Sequence, residues 1–313
     1  MNYLVTGACG FVGSNLCRSL LLDGHHVEAI DNLSIGRLEI LQMATNDVET
    51  GKLKIHISDI TDFDEMLKLT KNVDYIIHLA GLAGVRDSIE DPWKWFENNA
   101  IGSFNIFEVS RINKVKKIVW SSTSAALGQC EIADENQPAN PISPYGASKL
   151  SAEGLASAYY YSYDLPIITL RFSNVFGLYC HMKPLLVPKF LKAVVNKKTF
   201  EIYGDGLQTR DLIHVDDIIS AIKMSIDSDI KCETFQVCTG IKRTVNDIIY
   251  FLKEEIKKYG YDINIINTEP KIGDVRSNSG NNSKIKNLLG WEPKSDFEKS
   301  LKNTIKWYIK NFG

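Results

Sequence analysis

The stretch from residue 2 to residue 13 constrains the fold more than any other. Residues 2 to 6 form a short apolar run, and Gly7-Ala8-Cys9-Gly10-Phe11-Val12-Gly13 follows it with its glycines at spacings of three and three. A helical pattern comes next, with apolar positions at Leu16, Leu20 and Leu21, and Gly24 closes it. A strand that turns through glycines into a helix brings backbone close to a pyrophosphate and offers it free amide hydrogens. This setting assigns Gly7, Gly10, Phe11, Val12 and Gly13 to a dinucleotide cofactor, with a purely structural turn as the competing reading. Cys9, inside the loop, reads as a small space-filling side chain.

The pattern continues as short strands and helices in alternation. Strands are predicted at 26–30, 54–57, 75–79 and 117–121, and helices at 63–69 and 99–112. Over about 180 residues this alternation argues for an α/β fold, a doubly wound parallel sheet of Rossmann type covered on both faces. Beyond Gly177 the pattern loosens. Helices are expected at 184–195, 216–226, 244–258 and 296–309, with Thr244 and Asp247 spaced to cap the third. Strands are expected at 200–203 and 263–266, residues 235–238 return to the main sheet, and 271–284 reads as loop. The resulting division is a cofactor domain of residues 1–177 plus roughly 211–240, and a smaller α/β substrate lobe of 178–210 and 241–313.

Asp31 closes the second strand eighteen residues after Gly13. A carboxylate there accepts hydrogen bonds from the adenosine ribose diol and repels a 2′-phosphate, which favours NAD over NADP. Arg37 weakens that preference slightly. Asp59-Ile60, after the third strand, is placed to flank the adenine, and a helix-cap role for Asp59 is an equal alternative.

Composition excludes several classes. The net charge of the 313 residues is -2, which gives no reason to expect nucleic acid or an anionic membrane as partner. No apolar stretch is long enough to span a bilayer. The opening residues run straight into a strand, leaving no room for a signal peptide, so a cytoplasmic location is expected. Six scattered cysteines without a CxxC pair argue against a metal site or a disulfide scaffold.

Tyr145 and Lys149 stand four apart in Pro-Tyr-Gly-Ala-Ser-Lys, on one face if the run is helical. A phenol beside an ammonium loses its proton more easily and serves as general base toward a hydroxyl. Combined with the glycine loop, the pair predicts oxidation of a hydroxyl by a bound nicotinamide. A hydroxyl residue at a strand end, such as Thr123, can reach the cleft at the carboxyl edge of the sheet. Arg210 has the geometry to grip phosphate oxygens, with a salt bridge to Asp211 or Asp205 as its alternative.

The chain resembles the extended short-chain dehydrogenase/reductase family, and within it the nucleotide-sugar 4-epimerases. The likeness rests on the glycine loop, His78-Leu79-Ala80, Ser121-Ser122-Thr123, the Tyr145/Lys149 pair, Arg171-Phe172-Ser173-Asn174-Val175-Phe176-Gly177, Gly204-Asp205-Gly206, Gln208-Thr209-Arg210-Asp211, Gly273-Asp274 and Leu289-Gly290-Trp291-Glu292-Pro293. It covers nearly the whole length.

The resemblance implies that Tyr145 is the acid/base, that Lys149 binds the nicotinamide ribose and lowers the phenol pKa, and that Thr123 holds the sugar O4, with Ser122 as the alternative hydroxyl. It places Asn32, Leu79, Ala80 and Asn99 around the cofactor and gives Asn174, Arg210 and Lys271 to the substrate diphosphate. Arg86 becomes a contact to phosphate or a sugar carboxylate, and Asn278 borders the sugar 2-substituent, where its small size leaves room for an N-acetyl group. The implied reaction is transient oxidation at C4 of a UDP-sugar of the UDP-glucose or UDP-N-acetylglucosamine type, with UDP-glucuronate or a 4-ketoreductase as alternatives. Related 4,6-dehydratases carry Asp-Glu directly after the catalytic Thr; Ser124-Ala125 stands here, which removes the machinery for eliminating water. Family members commonly pair through a helix bundle, so a homodimer through helices near 99–112 and 145–163 is expected.

Overall fold

The computed structural model describes residues 1–182, 185–270, 276 and 279–313. Six strands in chain order, β1 (Asn2–Thr6), β2 (His26–Asp31), β3 (Leu53–Ile57), β4 (Tyr75–His78), β5 (Lys117–Thr123) and β6 (Ile167–Phe172), join the strand Cys232–Val237 in one parallel sheet. Its order is Cys232–Val237, β6, β5, β4, β1, β2, β3. The order reverses between β1 and β4, and the crevice outside the carboxyl ends of strands at such a reversal is where open α/β sheets bind ligands.

Period-two alternation sorts the strands onto two faces. Val5, Ile77, Val119 and Ile168 pack on one side with the helix Phe11–Leu22 (α1), while Leu4, Ile76, Ile118 and Ile167 pack on the other against Ile106, Phe107 and Tyr159. A third core gathers Phe190, Leu191, Ile202, Ile248, Leu252, Leu301 and Ile305, all beyond Gly177. The helix Val245–Lys257 starts with the expected reciprocal cap between Thr244 and Asp247.

Several elements depart from expectation. The predicted helix at 99–112 begins as a π-turn, Glu97–Ile101, and becomes α-helical at Gly102. The strand expected at 263–266 runs Ile265–Thr268, in register with Phe200–Tyr203. The last two residues of the stretch read as loop, Ser283 and Lys284, open the helix Ser283–Leu289, whose single buried residue, Ile285, gives almost no periodic signal. The helix Leu38–Thr45 was not expected, although Ile40, Leu41 and Ala44 bury one stripe of it.

His78 ties β4 to its neighbours. Its Nδ1 is 2.7 Å from Thr6 Oγ1 and its Nε2 3.0 Å from Ser103 Oγ. Burial, assisted by the charge of Lys149, pushes its pKa from 6.5 to about 3. The unfolded chain therefore binds a proton that the folded chain rejects, so stability is full above about pH 6.5 and falls as pH drops toward about 3. Urea unfolding midpoints taken from neutral to acid pH should decline over that window. His78→Gln should lower the neutral midpoint and flatten the acid slope; an unchanged slope would remove His78 as its cause.

Candidate active site

The glycine loop builds a cradle that side chains would fill. Gly7 has φ +70°, and a Cβ on it would lie 2.7 Å from Ala80 N; one on Gly13 would lie 2.1 Å from Gly7 O. Gly10 is the N-cap of α1 and supplies no side-chain cap, so the first-turn amides face the groove without a protein side chain on them. Phe11 is buried against the core, which holds the turn in place. Gly7, Gly10, Asp31, Asn32, Ile60 and Ala80 all line the groove at the carboxyl ends of β1 and β2. Close backbone, an open helix start and an acidic strand end fit a dinucleotide.

Asp31 is also structural. Its Oδ2 accepts from Cys9 N at 2.9 Å and its Oδ1 from Leu33 N at 2.8 Å, so the carboxylate holds the glycine loop and the turn after β2 together. Arg37 bends back, donating from Nη1 to the Leu33 and Gly36 carbonyls. Cys9 is fully buried, and burial followed by the charge of Asp31 pushes its thiol up to about 12, which keeps it protonated. Asp59 does not cap the following helix; Asp62 does. Asp59 instead accepts from Thr61 N at 2.8 Å and from Asn32 Nδ2 at 2.6 Å, which joins the ends of β2 and β3 at the edge of the groove.

Tyr145 and Lys149 lie in the helix Pro144–Tyr163. Pro144 sits at its first turn, and the Ser143 side chain caps it by accepting from Gly146 N at 3.1 Å. Lys149 is buried; its Nζ donates to Ser121 O at 2.9 Å and lies 5.4 Å from the Trp120 ring. Asn99, in the π-turn, accepts from Leu82 N at 2.8 Å and donates to Leu82 O and Ser148 Oγ, so it joins the loop after β4 to the Tyr145 helix.

Thr123 and Ser122, adjacent on β5, point to different partners. Thr123 stands beside the Tyr145 phenol, where its hydroxyl favours the ionised form, and its Oγ1 accepts from Ala125 N at 3.2 Å. Ser122 donates to Glu153 Oε1 at 2.5 Å, beside a buried pair in which Arg171 Nε and Nη2 donate to Glu153 at 2.8 and 2.6 Å. Ser124 donates to Gln236 Oε1 at 3.0 Å. Burial raises the Tyr145 phenol above 10, and the Thr123 hydroxyl acts against that rise. The net shift is upward, where the sequence suggested a lowering.

On the substrate side, Asn174 Nδ2 is buried and has no hydrogen-bond partner among the described residues, an arrangement that calls for an acceptor. Arg210 donates to Thr209 O at 2.8 Å. The acids proposed as its alternative partners are engaged elsewhere: Asp211 accepts from Thr239 and Gly240, and Asp205 from Arg276 and Leu207. Arg86 is exposed on the helix Val85–Glu90, 5.6 Å from the Tyr203 ring centre. Lys271 and Asn278 lie outside the described residues. Leu79 lines the same groove as Ala80, whose N–H donates to Thr6 Oγ1 at 3.1 Å. Val12 follows Phe11 in the first turn of α1. Sequence reading missed Glu153 and Ser148; the spacing 145, 149, 153 along one helical face was the signal for the first.

This fold and this cluster define a nucleotide-binding short-chain dehydrogenase/reductase architecture. The pattern described as GDP-mannose 4,6 dehydratase matches residues 4–304, and the chain belongs to that family, within the extended short-chain dehydrogenase/reductase nucleotide-sugar group. It is 33% identical to the UDP-glucuronate 4-epimerase of Thermodesulfobacterium geofontis, across 99% of this chain and 96% of the relative. Among solved structures it is similar to the UDP-N-acetylglucosamine 4-epimerase of Methanobrevibacter ruminantium in complex with UDP-N-acetylmuramic acid (TM-score 0.91, 33% identity, 99% and 98% of the two chains). It is also similar to the Thermus thermophilus UDP-glucose 4-epimerase complexed with NAD (TM-score 0.88, 30% identity, 99% of each chain).

Gly13→Ala should force the loop apart. An overpacked contact of this kind costs about 1–3 kcal/mol, or roughly ten- to hundredfold in NAD affinity. Calorimetric titration with NAD should read that loss, and undiminished affinity would contradict the cradle.

Proposed function

We propose that the chain is an NAD-dependent 4-epimerase of a UDP-sugar, of the UDP-glucose or UDP-N-acetylglucosamine type. The observation that carries this reading is the Thr123 hydroxyl beside the Tyr145 phenol and a buried Lys149, next to a groove that fits a dinucleotide. Bound NAD would supply the capacity to take hydride from the sugar C4 and return it. The chain's own residues do the rest. Gly7, Gly10 and the α1 start hold the pyrophosphate, and Asp31 and Asn32 the adenosine end. Lys149, fixed by Ser121, orients the nicotinamide ribose. Thr123 positions the sugar O4–H against Tyr145, which takes that proton as phenolate and returns it to O4 when the alcohol is re-formed.

The relatives named as epimerases and as NAD complexes support the reaction class. Against dehydration stands the absence of an acid at 124 and 125, where Ser124 is turned to Gln236. UDP-glucuronate is the second reading, favoured by the exposed guanidinium of Arg86. We assign the cofactor to residues 1–177 with roughly 211–240, and the nucleotide sugar to the remaining lobe. Exposed Phe104, Tyr161 and Tyr163 on the helices Gly102–Ile112 and Pro144–Tyr163 support pairing as a homodimer.

Tyr145→Phe should cut turnover by about 10²–10⁴ while NAD still binds. Near-normal turnover would defeat the assignment. With burial raising the phenol, turnover should climb on the alkaline side as it ionises. Thr123→Val, which deletes the opposing hydroxyl, should move that limb to higher pH in a rate profile; a shift to lower pH would contradict the pairing. Product analysis with UDP-glucose, UDP-N-acetylglucosamine and UDP-glucuronate, without added cofactor, should return the 4-epimer of one of the first two. Turnover of UDP-glucuronate alone would select the second reading.

A further inference from the structure

We propose that Arg243 is a second guanidinium on the diphosphate of the nucleotide substrate, acting across a strand pair from Arg210; the proposal rests on the nucleotide-sugar reading of the cleft. The two-residue strands Thr209–Arg210 and Arg243–Thr244 pair antiparallel, with Arg243 directly opposite Arg210. Residues opposed in this way send their side chains to the same face.

The register of this pair is pinned. Val245 N donates to Gln208 O at 3.0 Å, and Thr244 is committed to its reciprocal cap with Asp247 at the head of the helix Val245–Lys257. Two of its flanking links therefore hold Arg243 opposite Arg210.

Arg243 lacks a carboxylate partner among the described residues. Its recorded contact is the Phe297 ring, 3.9 Å from the guanidinium carbon. Stacking on an aromatic face leaves the edge N–H donors of a guanidinium available. Asp211 reaches Arg243 only through its charge, because its oxygens accept from Thr239 and Gly240. Burial works against the charged form of Arg243, which an arriving anion would relieve.

A third donor lies along the same path. The strand Asn174–Phe176 pairs in parallel with Leu212–His214, with Asn174 opposite Leu212, two residues past Arg210. Asn174 has a buried Nδ2 with no hydrogen-bond partner among the described residues. Two guanidiniums and an amide donor suit a group with two linked, multiply charged phosphates better than a neutral sugar.

The experiment is calorimetric titration of the full chain and of Arg243→Gln with UDP, inorganic diphosphate, uridine and NAD. The expected result is UDP and diphosphate affinity lower by about tenfold to hundredfold in the variant, as loss of a charged hydrogen bond implies, with uridine and NAD affinity unchanged. Unchanged UDP affinity in a folded variant overturns the proposal, and so does an equal loss for UDP and uridine. If Arg243→Gln does not fold, Arg243→Lys keeps the charge and removes the planar fork; it should weaken UDP several-fold, and parental affinity would overturn the proposal. A parent chain that binds neither UDP nor diphosphate overturns the nucleotide reading itself, whereas a parent that binds both and is indifferent to position 243 overturns this inference alone.

Discussion

Glu153 accepts two hydrogen bonds from Arg171 and one from Ser122, and one helical turn earlier Lys149 donates to the Ser121 carbonyl. These contacts fix one face of the helix Pro144–Tyr163 to β5 and β6, and the position of Tyr145 against Thr123 follows from them. Both members of the Glu153–Arg171 pair are buried, so neither can be removed without stranding the other charge, a loss of about 3–5 kcal/mol. The cofactor groove depends on the same arrangement. Asn99 reaches Ser148 on this helix and Leu82 in the loop after β4, so that side of the groove and the Tyr145 helix share one set of supports.

Thr123 and Ser122 show how a strand edge allots chemistry. Neighbouring side chains on a strand leave on opposite faces. Ser122 is thereby spent on the buried ion pair, and Thr123 is left to meet the phenol. The next residues carry the same logic into reaction type. Ser124 is turned to Gln236 and Ala125 has no side-chain proton to give, so neither residue after Thr123 supplies an acid.

What was legible in the sequence was local. The glycine spacing reports backbone approaches that only residues without a Cβ allow, and the interval between Tyr145 and Lys149 reports a helical face. Thr244 and Asp247 announced their helix start because a cap is a four-residue event. What stayed hidden was tertiary. The upward shift of Tyr145 comes from burial, which no spacing encodes, and the lowering expected from Lys149 was an argument about two residues in isolation. Asp59 does not take the helix-cap role that the sequence offered it, because Asp62 caps that helix, and it braces Asn32 and Thr61 instead. The π-turn at Glu97–Ile101 looked like ordinary helix, since it lies at the head of the element and leaves the apolar pattern of Gly102–Ile112 as it is.

The account's central claim is that Tyr145 removes only the oxygen proton at C4, while the carbon-bound hydrogen leaves and returns as hydride without meeting water. Epimerisation of UDP-sugar carrying deuterium at C4, run in ordinary water and followed by mass spectrometry, tests it most directly. The account predicts that the product keeps its deuterium at C4. Wash-out of that label to solvent during turnover would mean that the carbon is deprotonated instead, and would contradict the mechanism.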